Sequence, residues 1–265
     1  MTTDSSTAQS LPDDMAEALS HVAPRLGRLA RQVLWYPEIS STSDVAAAMA
    51  DGGGDEGLVV VADMQTAGRG RLGRTWTSPP GAGIYASCIF RPNPQAARLL
   101  TMAAGVAIAE GIGRATGLEV ELKWPNDVHC SGRKLAGILA ERGREHVVLG
   151  FGINVLRAVY PPDLQARATS IEVELGRSAD RAIVLAECLA ALASRYRDLQ
   201  DGRDADVMTA WRVRGASMIG RRVQWDAAGA VSQGRADRVD DDGALIVRTE
   251  NGLVRVISGE VRWLP

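Results

Sequence analysis

Lysine is almost missing from this chain. Of thirty basic residues, twenty-eight are arginine, and only Lys123 and Lys134 are lysine. Both stand within one short segment, and a bias toward arginine explains their scarcity but not their proximity. A lysine ammonium is a compact charge on a flexible stem, suited to a carboxylate or phosphate oxygen in a tight site, and a planar guanidinium fork does not replace it. Cysteine is scarce too. Cys88, Cys130 and Cys188 are odd in number and far apart, which argues against a disulfide framework and fits free thiols in a cytoplasmic protein. The three histidines, His21, His129 and His146, are scattered and take no zinc-ligand spacing with cysteine, so a zinc-centred enzyme is not expected. Neither charge sign is in excess. A net charge of -2 gives no long-range attraction to nucleic acid or an anionic membrane, and neither is expected as a partner. No uninterrupted apolar run reaches the length of a membrane span, and the polar, acidic start from Met1 to Asp14 lacks the basic end and apolar centre of a signal peptide.

What is present suits a packed globular chain. With 265 residues, 46% hydrophobic and 23% charged, one large domain and one small one are expected. Residues 1–12, rich in Ser, Thr, Asp and Gln, read as disordered. A helix from Asp14 towards Arg31 is expected to break at Pro24 and is too short to be a helix-turn-helix module. Val33–Ile39 reads as a strand, and Ser40 to Asp44 offer N-caps for an alanine-rich helix over Val45–Ala50. Strands follow at Leu58–Ala62 and Ile84–Phe90, then a long apolar helix at Pro94–Thr116. Three further strands, Leu118–Trp124, Leu135–Glu141 and His146–Asn154, are separated by turns at Pro125-Asn126-Asp127 and Ser131-Gly132. Helices over Ala179–Gln200 and Ala205–Arg214 close a main domain at 13–215. From residue 216 to 265 short strands with Asp242-Gly243 and Asn251-Gly252 turns read as a small all-β module.

The segment from Gln65 to Trp76 alternates glycine and arginine: Gly68, Arg69, Gly70, Arg71, Leu72, Gly73, Arg74. Glycines expose backbone N–H groups and allow close approach, and arginines add permanently charged forks, a combination suited to an anion with several oxygens. No Gly-Lys-Ser/Thr ends the loop, so it is not a Walker loop, and no helix with a downstream acid marks a dinucleotide fold. A solvated turn is the plainer alternative, but three like charges repel and gain little without an anion between them.

Together with Ser41-Thr42, Gln65, Lys123-Trp124-Pro125-Asn126-Asp127, Gly132-Arg133-Lys134-Leu135-Ala136-Gly137-Ile138-Leu139 and Gly150-Phe151-Gly152-Ile153-Asn154, this loop resembles the biotin protein ligases, from about Trp35 to the C-terminus. The resemblance implies an α+β fold with a mixed, mostly antiparallel sheet flanked by helices, like the class II aminoacyl-tRNA synthetases, and a C-terminal SH3-like β-barrel. It implies ATP-dependent activation of biotin to biotinyl-5′-AMP, then transfer to a lysine of a biotin carboxyl carrier domain of acyl-CoA carboxylases, with Mg²⁺ accompanying ATP. The short N-terminus looks like the monofunctional ligases and not those that repress transcription, and a monomer or weak homodimer is expected.

By the same resemblance, Lys134 is the cation between biotin carboxylate and α-phosphate. Arg69 and Arg71 fold over the adenylate, Arg71 nearest the mixed anhydride, Arg74 binds ATP, and Gly68 and Gly70 offer backbone N–H groups. Ser41, Thr42 and Gln65 resemble the ureido-ring binders, although the first two also suit helix caps. Trp76 and Tyr85 wall the biotin or nucleotide pocket, or else belong to the core. Gly137 lets the strand approach biotin, and Lys123, Asn126 and Asn154 contact the nucleotide. Asp127 holds Mg²⁺, orients the incoming carrier ammonium, or caps a loop, and the sequence leaves these open. Where the family usually has asparagine the chain has Ser43, whose shorter side chain puts its ring contact in doubt. His129 and Cys130 read as structural. A lipoate or octanoate ligase of the same fold is the nearest alternative, and a non-catalytic nucleotide- or nucleic-acid-binding module the alternative from another class.

Overall fold

The computed structural model describes residues 7–158, 161, 164, 166–227, 230–257, 259 and 261–264. Seven strands make one mixed sheet: β1 (Val33–Ile39), β2 (Val59–Gln65), β3 (Gly83–Phe90), β4 (Glu121–Lys123), β5 (Asp127–Cys130), β6 (Arg133–Arg142) and β7 (Val147–Asn154), ordered β1-β2-β3-β7-β6-β5-β4. Only β1 and β2 run parallel. Six helices are described: α1 (Asp13–Leu26), α2 (Thr42–Asp51), α3 (Pro94–Thr116), α4 (Ile171–Leu175), α5 (Arg181–Gln200) and α6 (Asp204–Arg214).

Strand alternation sets the layers. On β2, Val59 and Val61 join the large core under α1, α3 and α5, whereas Val60 and Ala62 face the other way onto Ala46 and Ala50 of α2. On β7, Leu149, Phe151 and Ile153 pack into the helical core, and the alternate Gly150, Gly152 and Asn154 are left for the opposite face. α3 begins at Pro94 under an Asn93 cap that accepts from Ala96 N–H and ends at left-handed Gly117. By length and hydropathy α3 passes for a membrane span, although no uninterrupted apolar run was read there, and 72% of its most apolar window is buried inside the protein. Its apolarity is that of a core helix.

The C-terminal strands β8 (Arg222–Ala227), β9 (Ala230–Val239), β10 (Leu245–Thr249), β11 (Gly252–Val256) and β12 (Val261–Trp263) form an antiparallel sheet ordered β11-β10-β9-β8-β12. Val223, Trp225, Leu245 and Val247 belong to the same core cluster as α3 and α6.

Several expectations are corrected. Residues 1–6, expected to be disordered, lie outside the described residues, but Gln9 donates its N–H to Trp35 O at 2.9 Å and Leu11 packs on the core. Pro24 does not break α1, because it sits in the last turn on the exposed side. The strand expected at Leu118–Trp124 shrinks to β4, and Asp127 leaves the turn to open β5, pairing with both Lys123 and Gly137. The alanine-rich helix starts earlier, at Thr42, and α4 was not anticipated.

Candidate active site

The sheet face that α1, α3 and α5 leave uncovered carries a cleft of about 800 Å³, floored by Gly150, Gly152 and Gly137. The arginine loop forms one wall, the β4–β5–β6 hairpins another, and Gly259, Val261, Arg262 and Trp263 of the C-terminal module a third. Seven cations line it, Arg69, Arg71, Arg74, Lys123, Lys134, Arg167 and Arg262, against the single carboxylate Asp127 among the described lining residues. Such an excess of positive charge in a walled cleft attracts a polyanion. Both lysines of the chain are here.

The hairpins bring Asp127 and Lys134 together. Lys134 Nζ reaches Asp127 Oδ1 at 2.6 Å, and His129 Nε2 stands 3.9 Å from Oδ2. Burial alone would raise the Asp127 carboxyl, but the neighbouring His129 and Lys134 outweigh it and hold it below the ordinary carboxylate range. Burial lowers Lys123, partly offset by Asp127, with Arg221 and Lys134 adding to the depression. Lys123 Nζ also faces the Trp263 ring at 6.0 Å.

The arginine loop is ordered by its own backbone: Gly70 N–H donates to Arg74 O at 2.7 Å and Trp76 N–H to Gly68 O at 2.8 Å. At its apex Leu72 is left-handed (φ 58°) and exposed, a backbone state unusual for leucine. Arg69 Nη2 is shared by Asp44 (2.9 Å) and Glu141 (2.7 Å). Arg71 donates to Asn126 Oδ1 at 3.2 Å and to Gly259 O at 3.4 Å, so it ties the loop to the C-terminal module. Burial is the main cause that lowers Arg71, against the pull of Asp127.

Trp76 lies flat on the glycine floor. A Cβ on Gly152 would stand 2.4 Å from its ring and one on Gly137 2.9 Å, so only glycine admits the indole at either strand. Lys134 Nζ sits 5.3 Å from the same ring. At the far end, Thr42 donates its N–H and hydroxyl to Gln65 Oε1 (2.9 and 3.1 Å), and Gln65 Nε2 donates to Ser78 Oγ at 2.9 Å. Ser87 shares hydrogen bonds with Thr42 Oγ1 (2.8 Å) and Ser43 Oγ (3.1 Å).

Most of the sequence-predicted site is thus assembled. Thr42, Ser43, Gln65, Arg69, Gly70, Arg71, Arg74, Trp76, Lys123, Asn126, Asp127, Lys134, Gly137 and Asn154 all line the cleft. Three predicted residues do not. Tyr85 is fully buried in β3 with its hydroxyl donated to Pro79 O, Ser41 is buried at the start of α2, and Gly68 is pressed against Trp76 O, Ser78 and Gln65. Of the helix-cap reading only the position holds: Ser41 is the N-cap residue of α2 but makes no side-chain cap bond, and the Thr42 hydroxyl goes to Gln65 and Ser87. Arg167, Arg262, Trp263 and Ser87 were missed. The arginines were hidden among many others, and Trp263 and Ser87 lie outside any motif. His129 was read as structural, yet it lines the cleft.

A helix-backed mixed sheet with a cation-lined cleft on its open face defines an α+β protein built to hold a large anion. Residues 35–154 match the Biotin/lipoate A/B protein ligase family, and residues 218–262 match the Biotin protein ligase C terminal domain. The biotin–[acetyl-CoA-carboxylase] ligase of Mycobacterium tuberculosis is 37% identical over 231 residues, 84% of this chain and 85% of that one. BirA of Bacillus subtilis, a bifunctional ligase/repressor, is 33% identical over 259 residues, 94% of this chain and 79% of its own. The Aquifex aeolicus biotin protein ligase solved with biotin and ATP superposes with a TM-score of 0.78 at 27% identity, covering 88% of this chain and 99% of that one. The chain belongs to the biotin protein ligase family.

Proposed function

We infer that the protein is an ATP-dependent ligase that activates biotin as biotinyl-5′-AMP and transfers it to a lysine of a biotin carboxyl carrier protein. The observation that carries this reading is the convergence of seven cations, both lysines included, on one cleft. In the first step a biotin carboxylate oxygen bonds to the α-phosphorus while the bond to pyrophosphate breaks. In the second, an acceptor amine bonds to the acyl carbon, AMP departs, and the amine loses a proton. The first step forces two anions together, so fixed positive charge is what the site must supply.

Lys134, held on β6, is the cation between carboxylate and phosphate, and Arg71 and Arg74 shield the phosphate oxygens. The loop walls out water, to which an acyl-adenylate is vulnerable. Thr42, Ser43 and Gln65 present hydroxyl and amide edges at the end where the ureido ring is placed. Trp76 walls the channel between. Lys123, Asn126, Asn154 and Trp263 border the nucleotide end.

Magnesium fits as an ion carried in on the triphosphate. Asp127 Oδ1 is engaged by Lys134, leaving Oδ2, and among the described residues no group of three His, Cys, Asp or Glu forms a protein cage. One carboxylate plus substrate phosphates is a normal magnesium site. The ion would neutralise phosphate charge.

ATP–pyrophosphate exchange, measured with biotin, with lipoate and with neither, tests the reading. Exchange with biotin alone is expected. Exchange with lipoate alone would overturn the substrate assignment, and none with either would overturn the reaction.

A further inference from the structure

Glu174 lies outside every sequence motif, on α4, with its side chain only 7% exposed. Its carboxylate accepts hydrogen bonds from Ser131 Oγ (2.8 Å), Arg133 Nη2 (2.6 Å) and Thr169 Oγ1. Of these donors Ser131 comes from the β5–β6 turn, Arg133 from the first position of β6, and Thr169 from the segment 167–169. That segment runs beside Lys134 as a parallel bridge: Lys134 donates its N–H to Arg167 O at 2.7 Å, and Thr169 donates its N–H to Lys134 O at 2.9 Å. Asn154 Nδ2 anchors the same segment by donating to Thr169 O at 2.9 Å. The main chain of Lys134 is therefore held through both its N–H and its C=O by this one segment, and Glu174 ties the segment to Ser131 and Arg133, just before Lys134.

We propose that Glu174 is the positioning residue for Lys134, fixing the ammonium against the cleft without itself reaching a substrate. The inference rests on the ligase reading for its kinetic arm. A charged acceptor with three donors is a rigid tie, because each arm is shortened by charge assistance, and small misplacement of a catalytic group costs rate steeply. In a carboxamide of the same shape the N–H can turn to Ser131, whose hydroxyl then accepts, but the oxygen left to Arg133 and Thr169 is neutral, so the tie keeps its shape and loses its charge assistance.

The test is a double-mutant cycle on biotin-dependent ATP–pyrophosphate exchange with Glu174→Gln, Lys134→Ala and both together. Glu174→Gln is expected to lower turnover about tenfold with little change in the biotin KM. It is expected to have no further effect once Lys134 is alanine. An equal loss in both backgrounds, or no loss at all, would overturn the proposal. Wild-type exchange in the same assay reports on the ligase reading separately. A second readout needs no activity: with only two lysines in the chain, mass spectrometry resolves acylation of Lys134 from that of Lys123. Glu174→Gln should change the Lys134 labelling rate several-fold and leave Lys123 as it was, and an unchanged Lys134 rate counts against the clamp. If Glu174→Gln does not fold, Thr169→Val, which removes one arm at constant volume, enters both measurements instead.

Discussion

Among single side chains, the Asp127–Lys134 pair decides most. The carboxyl of Asp127 is held below its ordinary value of 3.8, so the pair contributes fully above about pH 4 and is lost as pH falls through the depressed value. The stability gap between wild type and Asp127→Asn, followed by thermal unfolding, is expected to be constant from neutrality to mild acid and to close only below about pH 4. A gap that shrinks between pH 7 and 5 would show that the carboxylate is not held low. Arg71 makes its contacts across the cleft, to Asn126 and Gly259. Arg71→Ala should leave the fold intact and speed release of biotinyl-AMP, read in a filter or fluorescence assay, and an unchanged release rate would separate Arg71 from adenylate retention.

Strands and loops show what the sequence could and could not reveal. The arginine loop and the Lys123–Asp127 and Arg133–Leu139 strings were legible because their chemistry is local: unusual residues at fixed spacing. The α+β mixed sheet followed from the same resemblance, and the strand alternation on β7, apolar then glycine, marks which face meets the helices and which meets the cleft. β5 was not legible, because four residues beginning with the motif's own aspartate read as part of a turn until partners on β4 and β6 are known. Tyr85 stayed open between pocket wall and core for a related reason, since a tyrosine in an apolar strand reads the same either way, and the structure places it in the core. The glycine floor gives a strand-level prediction. Gly152→Ala places a methyl 2.4 Å from the Trp76 ring, forcing the indole out, and biotin affinity should fall by about tenfold or more as a clash in a packed wall costs 1–3 kcal/mol. Titration of tryptophan fluorescence with biotin checks it, and wild-type affinity would remove Trp76 from the biotin wall.

The two sheets act as one body around the cleft. Trp124, inside the lysine-bearing motif, donates its indole N–H to Gly243 O at 2.8 Å, and its backbone N–H faces Met218 Sδ at 3.1 Å. The C-terminal module thereby holds the strand end that carries Lys123, and it supplies Arg262 and Trp263 to the wall. Trp124→Phe leaves the Gly243 carbonyl without its donor and should destabilise the protein by about 1–3 kcal/mol while raising the ATP KM. An unchanged KM would confine the module to a structural role. The seven-cation lining explains how a chain of net charge -2 still presents a polyanion site: the positive charge is local, set on one face of one sheet.

Single-turnover formation of biotinyl-AMP by Lys134→Ala, with biotin and ATP saturating, bears on this electrostatic account most directly. Loss of one fixed charge donor predicts a rate about a hundredfold or more below wild type. A rate close to wild type would mean that carboxylate and phosphate meet without the ammonium, and the account would be wrong.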